Sequence, residues 1–531
     1  MNSKNQLWKA LLISSFFIFS PILLAQGNKK PNLLFIMTDQ QRFDAMSGAG
    51  NKVLKTPNMD RLAKQGAKFK NAYTPCAVCG PARSSILTGT TVENNGMKVN
   101  EYAYSFKKEG VMTMPTFDEI LAKKGYHSEY FGKWHTRTSH ADVYKNPQKT
   151  ALNGGSVFGP EGALIIYEDF LNAQSPNRDL KVGELYDTYT KRPYKTNPLD
   201  KFYGKTDADV KQSKRKPIQP DLHGELLIDK EYTMTAFQAK QTIDALERLK
   251  DSAFSITCSF HFPHAPMLPT KPYSTMYPAK DMVVPISISD DMQNSPYTKA
   301  NGRLEHTEYA DPEKIKYMIS SYYGLVKEID DWVGKILDKV DELGLADNTL
   351  VIFTSDHGEM LGAHGMREKN VFYEESAHIP LILRFPGQIK SKKIVKGYTS
   401  TVDLFPTILD YLNVEEHKSD GKSLRGLMEG TDKNHGKYVV QEWDYRGDTE
   451  PNYMIVKDGY KLMIPYTETS KVINAMYNLK KDPNEMNNLL GGNPDKQKYL
   501  EKAEDLRKSL IEWLTKNKSS HIEGVQKRKL I

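Results

Sequence analysis

The segment best suited to carry a nucleophile is residues 79–89, which read CGPARSSILTG. Proline is favoured in the first turn of a helix, so Pro81 places Cys79 at a helix N-terminus. The free backbone N–H groups and the helix dipole favour an anionic group there. The position suits a nucleophile that faces an oxyanion, but on these grounds alone a buried, inert thiol fits as well as a reactive one.

The spacing of Cys76 and Cys79 also occurs in redox pairs and zinc sites. A four-sulfur zinc site needs a second pair, and the remaining cysteine, Cys258, stands alone. It lies in the apolar run 254–260, so we expect it to be a core residue. Three cysteines in a chain of 531 residues do not indicate a disulfide framework.

Two acidic residues directly follow strand-like apolar runs. Residues 32–38 read NLLFIMT and precede Asp39, and residues 349–355 read TLVIFTS and precede Asp356. Open α/β sheets bind ligands at the carboxyl ends of their strands, so we expect the two carboxylates to converge there and to face the surface. Taken singly, Asp39 could belong to an ordinary strand-end turn and Asp356 to a helix cap.

The elements around these residues alternate between strands and helices. A helix is predicted over residues 115–124, a strand over 126–131 and a long amphipathic helix over 313–343, where apolar residues recur at helical spacing. This order predicts an α/β fold with a large mixed, mostly parallel sheet sandwiched by helices.

The pattern changes after about residue 420. Strand-like runs at 438–443 and 453–463 precede a helix near 498–516. We therefore predict a catalytic domain over residues 26–420 and a smaller C-terminal α+β domain, residues 421–531, that contains an antiparallel sheet. Residues from about 140 to 230 show little periodicity and are predicted to be insertion loops, which commonly carry specificity.

The chain begins with a pattern typical of export. Lys4 and Lys9 precede an apolar run that ends near Ala25, and residues 1–25 are predicted to be a signal peptide. The run is short for a spanning helix and Pro21 interrupts it, so we expect no stable membrane anchor and a periplasmic or secreted protein.

The composition is that of a folded protein, with 39% hydrophobic and 26% charged residues. The net charge of +7 favours an anionic substrate. Basic residues are spread along the chain without base-reading motifs, so no nucleic-acid partner is predicted. The basic run at residues 211–216 is interpreted as a solvated face.

The segment 79–89 resembles the signature of the type I sulfatases, Cys-x-Pro-Ser/Ala-Arg continued by Leu-Thr-Gly, in which the cysteine is oxidised to formylglycine. Ala82 stands where serine is commoner. The sequence also resembles other motifs of this family, at residues 125–126, 132–135, 355–359, 373–374 and 477–489. The chain is thus similar over nearly its whole length to these members of the alkaline phosphatase superfamily, bacterial polysaccharide sulfatases among them.

The resemblance implies a calcium site formed by Asp39, Gln40, Asp356, His357 and the modified Cys79. Oxygen-rich ligands favour a hard cation such as Ca²⁺, and the histidine is the atypical member of the set.

The resemblance also implies the groups around the sulfate. Hydrated formylglycine would offer one hydroxyl for in-line attack on sulfur, which Arg83 and Asp356 position and activate. Lys133 and Lys369 would neutralise the transferring group, and His135 would remove a proton from the second hydroxyl to release sulfate.

A further histidine, His264, stands in the segment 261–266, which reads HFPHAP. It matches the family histidine that protonates the leaving oxygen. His261 and His364 have no such match and are interpreted as structural.

The implied function is exported hydrolysis of sulfate esters of oligo- or polysaccharides, after a formylglycine-generating enzyme has modified Cys79. Gln40 stands where many sulfatases have a second aspartate, and superfamily members that cleave phosphonate or phosphate esters also carry glutamine. A phosphonate monoester or phosphodiester hydrolase is therefore an alternative. A catalytically silent glycan-binding relative is another, which the intact Cys79, Arg83, Lys133 and His135 disfavour.

Overall fold

The computed structural model of the protein describes residues 29–100, 114–136, 185–187, 192–194, 223–226, 229–265, 267–297, 310–415, 417–444 and 447–531. The predicted signal peptide lies outside these residues, as do most of the predicted insertion loops. Among the helices described, none is both long and apolar enough to cross a bilayer.

The strands of the described residues are β1 (Asn32–Asp39), β2 (Ala67–Tyr73), β3 (His127–Gly132), β4 (Leu185–Asp187), β5 (Arg192–Tyr194), β6 (Phe254–Pro263), β7 (Thr349–Ser355), β8 (Leu381–Arg384), β9 (Lys393–Ser400), β10 (Tyr438–Glu442), β11 (Tyr453–Lys457), β12 (Tyr460–Ile464) and β13 (Ala475–Asn478). The α-helices are α1 (Pro57–Gln65), α2 (Cys79–Thr88), α3 (Val92–Asn95), α4 (Phe117–Lys123), α5 (Met234–Leu249), α6 (Tyr273–Met276), α7 (Pro312–Glu342), α8 (Glu374–Ala377), α9 (Leu404–Tyr411), α10 (Arg425–Glu429), α11 (Leu500–Lys516) and α12 (Ile522–Lys527).

The main sheet has the strand order β3-β6-β1-β7-β8-β2-β9. Strands β3, β6, β1 and β7 run parallel to one another. Strand β8 is antiparallel to both β7 and β2, and β9 is parallel to β2. The predicted mixed, mostly parallel sheet is confirmed.

Side chains of β1 alternate between two cores. Leu34 and Ile36 pack with the helices α1, α5 and α7 on one face. Leu33 and Phe35 pack with α4 and α9 on the other face. Both faces of the sheet are therefore buried under helices, as predicted, which explains why residues 32–38 form a continuous apolar run.

Side-chain caps set the starts of two of the predicted helices. The Thr116 hydroxyl accepts from the Glu119 N–H at 3.2 Å, and the Glu119 carboxylate accepts from the Thr116 N–H at 2.7 Å, so α4 begins at Phe117 rather than at 115. Helix α7 begins at Pro312 because the Asp311 carboxylate accepts from the next free N–H groups.

A separate antiparallel sheet, β10-β11-β12-β13, lies within the predicted C-terminal domain. The run 453–463, interpreted as one strand-like segment, is in fact a hairpin. Its turn residues Asp458 and Gly459 both have positive φ, as a two-residue hairpin turn requires. Leu506 and Leu510 of α11 pack on one face of this sheet. The domain boundary near residue 420 stays a prediction.

Candidate active site

Four neighbouring parallel strands deliver most of the predicted site residues to one edge of the sheet. Lys133 and His135 follow β3, His264 follows β6, Asp39 and Gln40 stand at the end of β1, and Asp356 and His357 follow β7. The pairing of Thr38 with Ser355 brings the ends of β1 and β7 side by side. The predicted convergence of the strand-end residues is confirmed.

Cys79 is the first residue of α2, as predicted from Pro81. Val78 before it is extended, so the chain turns into the helix at the thiol. The side chain is buried, and its Sγ lies 3.0 Å from His357 Nε2. Burial and Asp39 raise the pKa of Cys79, but Lys133 and other nearby cations outweigh them and lower it overall. The structure thus favours a reactive position over an inert thiol.

Arg83 lies one turn further along α2 and joins the strand ends. Its Nε donates to Asp356 at 2.8 Å and its Nη2 donates to Asp39 at 3.1 Å. Its Nη1 donates to the Lys133 carbonyl and to the Ser259 hydroxyl, both at 2.7 Å. Sequence reasoning missed Ser259, because the contact joins residues 176 positions apart and has no local signal.

The two strand-end carboxylates are fully buried, so the expectation that they face the surface is wrong. Asp39 forms ion pairs with both Arg83 and Lys133, and Asp356 pairs with Arg83. Burial alone would raise the pKa of Asp39, but the charges of Lys133 above all and of Arg83 hold that pKa well below its usual range. Asp39 is therefore charged at neutral pH because cations are built in around it.

His135 is buried at the end of the segment that follows β3, with a left-handed backbone, φ 56°. Burial, Lys133 and Arg83 hold its pKa well below the usual range. The imidazole is therefore neutral, the form that can accept a proton.

His264 and Lys369 form a hydrogen-bonded pair. The His264 Nδ1 lies 2.7 Å from the Ala265 carbonyl and its Nε2 lies 3.0 Å from Lys369 Nζ. Because an ammonium group only donates, Nε2 is the acceptor and the ring proton is assigned to Nδ1. Burial, Lys369 and Lys133 hold the pKa of His264 well below the usual range, in agreement with this neutral form.

The cluster fits a metal ion. Four buried residues each place one donor atom within 4.8 Å of the others: Asp39, Cys79, Asp356 and His357. The Oδ1 atom of Asp39 finds no hydrogen-bond donor among the described residues. A buried carboxylate oxygen left without a donor is costly unless a cation meets it. Gln40 lies beside this set, with its N–H 3.0 Å from Asp356 Oδ1.

The residues interpreted as structural are not among the four possible metal donors. His261 pairs with Gln238, and His364 lies 2.7 Å from Asp290. Cys258 is fully buried in the core between the sheet and its helices.

Comparison with known families decides the class of the protein. A family model described as Sulfatase matches residues 31–414, which is most of the chain. The chain belongs to the sulfatase family. A second model, described as N-sulphoglucosamine sulphohydrolase, C-terminal, matches residues 362–516 of this sulfatase. The protein is accordingly a sulfuric ester hydrolase.

Individual relatives agree over nearly the whole length. An arylsulfatase of Clostridium perfringens is 29% identical over 504 residues, which are 93% of this chain and 96% of the relative. An N-acetylglucosamine-6-O-sulfatase of Bacteroides thetaiotaomicron is 27% identical over 92% of this sulfatase and 87% of the relative. The phosphonate monoester hydrolase of Agrobacterium radiobacter has the same fold, with a TM-score of 0.69 at 23% identity, and the match covers 92% and 96% of the two chains.

Replacing Arg83 by methionine should destabilise the metal-free sulfatase by about 3–5 kcal/mol, because Asp39 and Asp356 would be left buried without this partner. Denaturant unfolding measures the loss. Arg61→Met is the control, since Arg61 pairs with Asp338 at the surface and such pairs contribute about 1 kcal/mol or less. Equal losses in the two variants would contradict the assigned role of Arg83.

Proposed function

We propose that this sulfatase hydrolyses sulfate esters of carbohydrates with a formylglycine made from Cys79 and with bound Ca²⁺. The observation that carries the proposal is the position of Cys79. It lies at a helix N-terminus with its Sγ 3.0 Å from His357, beside two carboxylates that Arg83 holds in place. A carbohydrate sulfatase among its relatives supports the class of substrate.

Asp39, Asp356, His357 and the residue at position 79 would hold the cation, with Gln40 as an added oxygen donor. Bound calcium would offset the charge of the sulfate oxygens and make the sulfur easier to attack. Carboxylates and an amide oxygen are the ligands that this hard cation prefers.

The oxidised side chain at position 79 would supply, as its hydrate, a hydroxyl nucleophile and a second hydroxyl that allows release of sulfate. Arg83 holds position 79 and Asp356 in register, because it stands one helical turn away and donates to that carboxylate at 2.8 Å. The ammonium groups of Lys133 and Lys369 bind the charge of the sulfate. Neutral His135 takes up a proton as the product forms.

His264 would deliver a proton to the leaving oxygen together with Lys369. In the substrate-free site Nε2 accepts from Lys369 and carries no proton. An entering sulfate offsets the charges of Lys369 and Lys133, which are among the causes of the low pKa of His264. Substrate binding therefore favours the protonated ring at the moment when the alkoxide needs a donor.

Gln40 favours one other candidate function, the hydrolysis of phosphonate monoesters or phosphodiesters. Glutamine in place of a second aspartate leaves the metal with one carboxylate fewer, which would tolerate a more highly charged transferred group. A silent glycan-binding role is less well supported, because Cys79, Arg83, Lys133 and His135 lie at one edge of the sheet with the acids and the histidine that would hold the cation.

Residues 1–25 are proposed to direct export to the periplasm or beyond, where sulfated polysaccharides are met. A formylglycine-generating or sulfatase-maturing enzyme is the partner that the proposed modification requires. The Cys79 segment would have to reach that enzyme before folding is complete, since the thiol is 1% exposed in the folded chain.

We predict that the peptide that holds Cys79 carries an aldehyde when the protein is produced with a maturing enzyme, because the thiol cannot supply two hydroxyls. Mass spectrometry of the digested, active protein measures the conversion. The Cys79→Ala variant is the control, with no aldehyde and no turnover. A fully active preparation whose Cys79 is wholly unmodified would contradict the proposal that formylglycine is the nucleophile.

Removing His264 should slow hydrolysis of a sugar sulfate by about 10²–10⁴-fold and that of nitrophenyl sulfate much less, since only the sugar alkoxide needs a proton. The readout is the ratio of kcat/KM on the two esters in the His264→Ala variant. His261→Ala, a change in β6 of a ring that pairs with Gln238, should leave that ratio unchanged. Equal losses on both esters in His264→Ala would show that His264 only binds the substrate.

A further inference from the structure

Glu359 is a buried acid in contact with the proposed metal site, and the proposed mechanism gives it no role. Its side chain is fully buried in the loop that follows β7. One carboxylate oxygen, Oε1, accepts from the backbone N–H of Leu361 at 3.0 Å and of Glu368 at 2.5 Å. The other, Oε2, accepts from the side-chain amide of Gln40.

The orientation of the Gln40 amide follows from these partners. Lys369 Nζ lies 2.5 Å from the Gln40 side-chain oxygen, and an ammonium group has donors only. The oxygen must therefore face Lys369 and the NH₂ group must face Glu359. The Gln40 backbone is held as well, by Asp356 Oδ1 at its N–H and by the Tyr322 hydroxyl at its carbonyl.

We propose that Glu359 is a positioning residue of the metal site, which fixes the Gln40 amide with its oxygen toward Lys369 and the cation. The proposal deepens the function proposed above and rests on its metal site. Lys369 is close enough to Cys79 and Asp39 to interact with both charges, so the oxygen that it contacts lies on the side of the cluster. An amide can offer either its oxygen or its nitrogen, and Glu359 together with Lys369 determines which one faces the cation.

Glu359 also places a carboxylate directly behind the side-chain amide of Gln40. In a site with two aspartates, the second carboxylate would contact the cation directly. Here the carboxylate stands behind the Gln40 amide and polarises it through a charge-assisted hydrogen bond. Groups that orient a metal ligand in this way typically change metal affinity by about 10–100-fold when removed.

An exchange of the two functional groups tests the proposal. In Glu359→Gln, the new amide must keep its oxygen toward the Leu361 and Glu368 N–H groups, so its NH₂ turns to Gln40. Gln40 must then turn its own NH₂ toward Lys369. Two donor groups would face each other there, and neither could accept a hydrogen bond. The double variant Gln40→Glu/Glu359→Gln restores every pairing, because a carboxylate at position 40 accepts from both neighbours.

Calorimetric titration of the metal-free proteins with Ca²⁺ measures the effect, and circular dichroism confirms the fold. We expect Glu359→Gln to bind Ca²⁺ about 10–100-fold more weakly than the wild type. The double variant should recover most of that loss. Glu368→Gln removes a carboxylate from the same loop without touching the Gln40 contact, and it should bind as the wild type does.

The outcomes separate this proposal from the metal site itself. Wild-type protein that binds no Ca²⁺ would overturn the metal site and the inference with it. Wild-type binding that survives unchanged in Glu359→Gln, or is lost equally in Glu368→Gln, would overturn the inference alone. If Glu359→Gln does not fold, the double variant tests the inference instead. It should fold and bind Ca²⁺ nearly as well as the wild type, and failure to do so would overturn the inference.

Discussion

The site depends on one buried interaction, the guanidinium of Arg83 between the carboxylates of Asp39 and Asp356. The two acids end neighbouring parallel strands, where like charges would repel each other in a medium that screens them poorly. Arg83 removes that repulsion and ties α2, which begins at Cys79, to the strand ends. The positions of the proposed nucleophile and of the two carboxylates in the proposed metal site therefore follow from the same contact.

The part of the chain beyond residue 420 also supports this edge of the sheet. Lys461 of β12 is fully buried and lies 2.8 Å from both Glu374 and Glu485. It also donates to the Phe372 carbonyl at 2.7 Å, and Glu485 accepts from the Glu374 N–H at 2.7 Å. These contacts hold the segment that follows Lys369, which explains in physical terms why the smaller sheet packs beside the residues of the candidate site.

Local patterns in the sequence predicted the strands and the helix start that position the site residues. The apolar runs that precede Asp39 and Asp356 identified two central strands, and Pro81 located the start of α2. The contact of Glu359 with Gln40 joins residues 319 positions apart, so no local pattern indicates it. The burial of Asp39 was missed for the same reason, since it depends on cations that distant segments bring to the acid.

The central claim is that this site transfers the sulfuryl group of a carbohydrate ester. The most direct measurement compares kcat/KM of the matured protein on a sulfated saccharide with that on the matching phosphate and phosphonate esters. The carboxylates, cations and proton donor described here predict the highest value for the sulfate ester, with Ca²⁺ required. A higher value for the phosphonate ester, or turnover of the sulfate ester that persists in Cys79→Ala, would contradict the account.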